Sequence, residues 1–155
     1  MSKNKSNNKF GKDKFKAQGN PVHERSRDTR EERKIQEELP KILFSFKDFD
    51  RNQGQSYTDW EVEELLSAMV EKFGHLCEMT LLEAKRQNLI TEYGAFPPKS
   101  DFKHPKHIVE DVNWAVIKNV KGQKGRVAGH IMGNIFYIVF LDKDHRFYIT
   151  EKKNT

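Results

Sequence analysis

Seven consecutive residues, Ile135–Leu141, constrain the fold of this 155-residue chain more than any other stretch. In a β-strand, successive side chains point to opposite faces of the sheet. All seven side chains are aliphatic or aromatic, so neither face of such a strand is polar. A strand without a polar face has to be covered on both sides. We therefore predict that residues 135–141 form a central strand of a sheet.

The residues around this run predict an antiparallel meander. Gly125–Ile131 alternates as a strand does, and the Gly/Asn-containing residues 132–134 suit a tight hairpin, because a positive φ costs Gly and Asn little. The polar residues 142–144 indicate a second turn, after which Arg146–Ile149 alternates as a returning strand. Upstream, Trp114–Asn119 predicts a further strand that leads through a Lys- and Gly-rich turn into the meander.

Two shorter strands and a loop are predicted earlier in the chain. Ile42–Lys47 alternates and indicates a first strand, and Leu89–Glu92 indicates another short one. Residues 93–111 contain three prolines and two histidines, and we expect an ordered irregular loop there.

Helices are predicted between the first two strands. Thr58–Glu61 and Thr80–Glu83 each match a capping box, in which a hydroxyl and a carboxylate bind backbone N–H groups at a helix start. Apolar residues recur at helical spacing from Val62 to Cys77, which predicts an amphipathic helix. A shorter helix should end at about Gln87. The two form a helical hairpin or one interrupted helix.

These elements predict an α+β domain, with an N-terminal strand, a helical hairpin and then an antiparallel three- to four-stranded meander with the helices packed on one face. We place this single domain at residues 39–155. Residues 1–30 contain few side chains that can be buried, so their ordering entropy is not offset. Residues 1–38 are therefore predicted to be a disordered basic tail that passes into a short charged helical turn.

Positive charge is concentrated at the two ends of the chain. Residues 1–30 hold nine Lys/Arg and three Asp/Glu, residues 31–111 hold 11 and 17, and residues 112–155 hold eight and three. Two basic regions around an acidic middle favour contact with a polyanion such as nucleic acid. Improved solubility is the alternative explanation.

The sequence also argues against several classes of protein. No apolar run approaches the roughly 20 residues that a membrane-spanning helix needs, and the first residues do not resemble a secretory signal. The single cysteine, Cys77, excludes an internal disulfide and a thiolate metal site. We therefore expect a cytoplasmic protein with no membrane partner.

One cluster of side chains has a chemical logic. Arg126, His130, Arg146 and Tyr148 share one open face of the predicted meander, with His145 at the exit of the preceding turn. Guanidinium groups bind phosphate through paired hydrogen bonds, and imidazoles transfer protons near neutral pH. This combination suits metal-free RNA cleavage, in which a base activates the ribose 2′-hydroxyl and an acid protonates the leaving oxygen. Alternatively, the arginines form salt bridges and Tyr148 packs at a sheet edge.

The roles assigned within this region are as follows. The predicted catalytic residues are Arg126, His130, His145 and Tyr148, and the predicted nucleic-acid-binding residues are Lys118, Lys121, Lys124 and Arg146.

No metal or cofactor is predicted. His104 and His107 lie near carboxylates, but they lack the H-E-x-x-H spacing and the cysteine partners of established zinc sites. The neighbouring prolines favour a rigid loop whose polar groups cap its own backbone.

The order of these elements, together with Arg, His and Tyr on the meander, resembles the RelE/ParE-type toxin superfamily over about residues 40–150. Many of its members cleave mRNA, often in the ribosomal decoding site, with basic and aromatic residues and no metal. The resemblance implies that Arg126 corresponds to the phosphate-binding arginine, and that His145 or Tyr148 corresponds to the C-terminal catalytic position. It also implies RNA or the ribosome as a partner, and an antitoxin protein.

A second resemblance concerns sequence rather than topology. The segments FSFKDFDRNQGQSYTDW and VAGHIMGNIFYIVFLDKDHRFY resemble a group of small uncharacterised bacterial proteins. The alternative to a toxin-like endoribonuclease is therefore a non-catalytic module of a mobile-element or defence system that binds nucleic acid or a protein.

Overall fold

A computed structural model of the chain describes residues 29–35 and 39–150. Contacts within the chain separate a first unit, Met1–Leu39, from a second unit, Pro40–Thr155. In the first unit, residues 29–35 form an exposed helix, α1. Residues 1–28 of the predicted disordered tail lie outside the described ranges.

A five-stranded sheet forms the centre of the second unit, built from β1 Leu43–Ser45, β2 Ile90–Gly94, β3 Asn113–Ile117, β4 Arg126–Met132 and β5 Ile135–Asp142. The strands lie in the order β1-β5-β4-β3-β2. All neighbours are antiparallel except β1 and β5, which are parallel and make the sheet mixed. The predicted α+β class is confirmed. Strands β3–β5 correspond to three of the predicted meander strands, and the antiparallel run is completed by β2 rather than by a strand at Arg146–Ile149.

The position predicted for residues 135–141 is also confirmed. β5 pairs with β1 on one side and with β4 on the other, and its second half is fully buried. Gly133 and Asn134 close the hairpin between β4 and β5, and Gly133 has the positive φ, +60°, that glycine adopts at little cost. However, the register shifts by one residue between Ala128 and Gly129, so the simple alternation along β5 does not hold beyond Ile138.

Three helices connect β1 to β2: α2 Tyr57–Val62, α3 Leu65–Leu76 and α4 Leu81–Arg86. Thr80 and Glu83 form the predicted capping box at the start of α4. The box predicted at Thr58–Glu61 is wrong. Ser56 and Asp59 make it instead, because Ser56 has the extended backbone that an N-cap requires while Thr58 lies inside the helix.

The predicted continuous helix from Val62 to Cys77 is interrupted. Glu64 adopts a left-handed backbone conformation with φ of +60°, which ends one helix and begins the next. Because the helix is interrupted here, Val62 does not belong to the apolar face of α3, and it is 79% exposed. Leu65, Met69 and Phe73 remain buried against the sheet, as helical spacing predicts.

The helices and one face of the sheet enclose the larger hydrophobic core. Phe73 of α3 stacks on Phe44 of β1 with ring centroids 4.0 Å apart, and Phe44 in turn contacts Phe136 of β5. The expected packing of helices on one face is therefore present.

The opposite face of the sheet is covered as well. Residues 95–112 form the predicted irregular loop, and together with residues 143–150 they fold over this face. We call the five rings packed there the aromatic layer: Phe96, Phe102, Trp114, Phe140 and Phe147.

The returning strand predicted at Arg146–Ile149 is wrong. The Asp142 carboxylate accepts hydrogen bonds from the backbone N–H groups of Arg146 and Phe147, both 2.9 Å long. This turn directs the chain over the sheet and buries Phe147 in the aromatic layer. Its amide groups are thus used by a side chain rather than by a neighbouring strand.

Candidate functional site

The predicted catalytic residues do not converge on one open face. Arg126 and His130 lie on β4, on the side that the aromatic layer covers, whereas His145 and Tyr148 belong to the irregular segment after β5. The prediction of an open face is therefore wrong, because alternation along the strands does not reveal what the loops cover.

His130 is held inside the protein. Its side chain is 5% exposed, its Nε2 atom lies 2.8 Å from Oδ2 of Asp48, and its ring stacks on Tyr137 with centroids 4.7 Å apart. The remaining nitrogen, Nδ1, is also buried and has no hydrogen-bond partner among the described residues. An Asp–His pair in this arrangement orients the imidazole but presents neither nitrogen to a substrate outside the protein.

The loop that carries Asp48 is fixed by other contacts. His107 Nε2 lies 2.9 Å from the backbone oxygen of Asp48, and the backbone N–H of Asp50 donates to the oxygen of Val139. These bonds attach the loop after β1 to β5 and to the irregular loop 95–112. The His107 ring therefore binds the backbone of the loop after β1.

Two of the predicted nucleic-acid-binding residues are paired with carboxylates. Arg146 forms an ion pair with Asp101, and the Asp101 N–H donates to the Arg146 oxygen at 3.0 Å. Lys121 lies 3.2 Å from a carboxylate oxygen of Glu64. Both charges are exposed but compensated, as in the salt-bridge alternative. Lys124 is exposed in the same turn and exchanges backbone hydrogen bonds with Lys121.

Arg126 and Lys118 form a different kind of surface. Ile117 of β3 pairs with Val127 of β4, so the next positions in this antiparallel register bring Lys118 opposite Arg126. Both are partly exposed, and neither has a carboxylate within 4 Å among the described residues. Like charges on opposed positions repel each other, which favours an anion between them. On its other side Arg126 is in register with Asp142 of β5, but the Asp142 carboxylate accepts hydrogen bonds from the backbone of Arg146 and Phe147 instead.

A pair of tyrosines lies on the same side of the sheet as these cations. Tyr93 of β2 and Tyr148 stack with centroids 4.2 Å apart and ring planes 12° from parallel, and Tyr148 is 38% exposed. Partial burial raises the pKa of Tyr93, while the positive charge of Arg126 lowers it and Tyr148 raises it slightly further. Arg126 and the tyrosine stack lie on the same side of the sheet, the side of the aromatic layer. We call Tyr93, Lys118, Arg126 and Tyr148 the basic–aromatic surface.

His145 is partly exposed at φ of +59° in the turn that Asp142 closes. Its ring makes no hydrogen bond or aromatic contact with another described residue. No group among the described residues therefore orients His145 for proton transfer.

Sequence reasoning missed Asp48 and Tyr93. Asp48, which binds His130, is 82 positions from it in the sequence. Tyr93, which stacks on Tyr148, lies on the edge strand β2, which is separated from β5 by two strands. Local sequence patterns contain no signal for either contact. The stack of Tyr93 on Tyr148 could be predicted only with the correct path of the segment after β5, to which Tyr148 belongs.

The candidate histidines of the irregular loop are not arranged as metal ligands. His104 Nδ1 lies 3.0 Å from the backbone oxygen of Pro105, and no group of three or more His, Cys, Asp or Glu in the described part of the chain could hold a metal ion. None of the described helices is long and apolar enough to span a membrane.

Comparison with known proteins found no match. Family models, curated proteins and solved structures were each searched, and none is similar to this chain. The resemblance to RelE/ParE-type toxins therefore stays a prediction, and any function has to be argued from the site itself.

Proposed function

We propose that the protein binds single-stranded RNA through the basic–aromatic surface, as a non-catalytic module. The observation that carries the proposal is the stacked pair Tyr93–Tyr148 on the side of the sheet that also carries Arg126 and Lys118, two cations with no carboxylate within 4 Å among the described residues.

This combination matches the physical requirements of single-stranded nucleic acid. Exposed aromatic rings stack on bases, and guanidinium and ammonium groups bind the phosphates between them. The half-exposed ring of Tyr148 offers a free face only at the rim of the surface, which suits an unpaired base better than a continuous duplex. The basic composition of residues 112–155 adds longer-range attraction.

A second candidate function is the predicted metal-independent endoribonuclease activity, which would use the same basic–aromatic surface. It is favoured by the position of Arg126 and Tyr148, two of the four predicted catalytic residues, on the same side of the sheet. It ranks second because His130 is buried against Asp48, and because none of the described residues brings another group suited to act as a general base into contact with the surface.

The test is binding of the full chain to a fluorescently labelled single-stranded RNA, measured by anisotropy over a range of salt concentrations. Tyr148→Ala should weaken binding by roughly 5- to 150-fold, since stacking on an aromatic side chain contributes about 1–3 kcal/mol per base. Tyr148→Phe should bind almost as well as the parent protein. Arg126→Ala should weaken binding and lower the salt slope by roughly 1.

Matched controls remove the same charges elsewhere. Arg146→Ala and Lys121→Ala, whose parent side chains are paired with Asp101 and Glu64, should affect binding far less than Arg126→Ala and Lys118→Ala. If all four substitutions weaken RNA binding equally, binding depends only on the net charge of the protein, and the proposed surface is refuted.

Analysis of the RNA after incubation separates the two candidates. Binding without new ends supports the module. Cleavage that resists chelator, leaves a 2′,3′-cyclic phosphate and falls by roughly 10²–10⁴ in Tyr148→Phe identifies the endoribonuclease instead, because only the hydroxyl is lost.

A further inference from the structure

Three buried nitrogen atoms on the aromatic side of the sheet have no hydrogen-bond partner among the described residues: His104 Nε2, Trp114 Nε1 and His130 Nδ1. They occur close together. Trp114 and His130 are direct partners across β3 and β4, with ring centroids 6.1 Å apart, and the His104 ring lies 5.5 Å from Trp114 on the covering loop. Buried polar groups are almost always paired, so three neighbouring exceptions call for an explanation.

The partners of the other ring nitrogens determine what each atom can do. His130 Nε2 faces the Asp48 carboxylate and His104 Nδ1 faces the Pro105 carbonyl, and both of these oxygens only accept. The two nitrogens must therefore carry the protons. In a neutral imidazole this leaves a lone pair on His130 Nδ1 and on His104 Nε2. Trp114 Nε1–H, in contrast, is a donor only.

The required ligand must thus donate two hydrogen bonds and accept one. Water does this, and about three bonds is the usual number for a buried water molecule. An ammonium ion cannot accept and a halide cannot donate. A metal ion would leave the indole N–H unpaired, and no metal-binding group of three ligands is present in the described part of the chain.

We propose that one ordered water molecule is bound between His104, Trp114 and His130. It completes a series of hydrogen bonds from the Asp48 carboxylate through His130 and the water to His104. These hydrogen bonds join the loop after β1 and the irregular loop 95–112 to strands β3 and β4. The water site thereby holds the aromatic layer in register on the sheet, independently of any role in RNA binding.

The experiment uses the unmodified, nitrogen-15-labelled full chain at neutral pH. The protein has two tryptophans, which makes Trp60 an internal control: it is fully buried like Trp114, but its Nε1–H already donates to Gln55 Oε1 at 3.3 Å. The Trp114 indole proton should show a cross-peak to a long-lived bound water in nuclear Overhauser spectra. The Trp60 indole proton should show none.

Histidine nitrogen shifts provide a second, independent measurement. His130 should be protonated at Nε2 only and His104 at Nδ1 only. The opposite tautomer at either ring, a missing water cross-peak at Trp114, or a scalar coupling through a direct N–H···N bond from Trp114 to a histidine would overturn the proposal. So would a shift of both ring nitrogens on addition of Zn²⁺ alone, because it would identify a cation site.

Discussion

Asp142 offers the sharpest test of how the C-terminal segment is held. It is fully buried, and its two carboxylate oxygens accept one hydrogen bond each, from the backbone N–H groups of Arg146 and Phe147. Phe147 is 1% exposed within the aromatic layer, so releasing this turn also disturbs the core. Asp142→Ala removes both acceptors, whereas Asp142→Asn retains one.

The expected magnitude follows from these two bonds. A hydrogen bond to a charged group contributes about 1.5–3 kcal/mol, so Asp142→Ala should lower the free energy of unfolding by about 3–6 kcal/mol. Asp142→Asn should lower it by roughly half as much, because the amide nitrogen of Asn cannot accept. Asp144 is exposed in the same turn, and Asp144→Ala should change the free energy by no more than about 0.5 kcal/mol.

Urea unfolding followed by circular dichroism gives these free energies, provided that the denaturant slope is the same in all variants. The loss of RNA binding should follow the same order, since Tyr148 directly follows the held segment and stacks on Tyr93. If Asp142→Ala is within about 1 kcal/mol of Asp144→Ala, then the carboxylate does not hold the segment, and the reasoning about the covered face fails.

Three further predictions concern the fold. Gly129→Ala should destabilise the domain by roughly several kcal/mol, because the new Cβ would lie 2.0 Å from a backbone oxygen of β5. Gly74→Ala, in an open position of α3, should stabilise the domain by about 0.5–1 kcal/mol. Thermal melting of both variants measures this difference, and equal effects of the two substitutions would contradict it. Phe136→Asp should abolish the cooperative melting transition, since it buries an unpaired charge. The Ser56 backbone N–H and hydroxyl lower the pKa of Asp59 in the folded protein. The stabilisation by the Asp59 carboxylate is therefore present above the ordinary carboxyl pKa and is lost as the pH falls through the lower folded pKa. The difference in melting temperature between the parent protein and Asp59→Asn should shrink from pH 7 to pH 3, and a difference that stays constant would refute this prediction.

The sequence by itself determined the elements whose signals are local. The hairpin at Gly133 follows from backbone preferences, and the capping box at Thr80 follows from the spacing of two side chains. The internal position of Ile135–Leu141 follows from hydrophobic burial on both faces. Each of these needs only residues that are neighbours in the chain.

Local signals failed where two sequence patterns fitted equally well. Ser56–Asp59 and Thr58–Glu61 both satisfy a capping pattern two residues apart, and the packing of Trp60 and Leu65 in the core accompanies the first solution. Likewise, apolar spacing from Val62 onward fits one long helix, but the left-handed turn at Glu64 redirects it. Such choices depend on contacts with the sheet.

Only the tertiary structure decided which polar groups can meet a ligand. Arg126, His130 and Tyr148 are equivalent in the sequence pattern, yet His130 is enclosed by Asp48 and Tyr137 while Arg126 stays near solvent. The physical reason is that alternation specifies the face of a strand on which a side chain lies, whereas its exposure depends on loops that return from distant parts of the chain. For this protein, those loops convert a predicted open face into a buried layer with functional groups left at its rim.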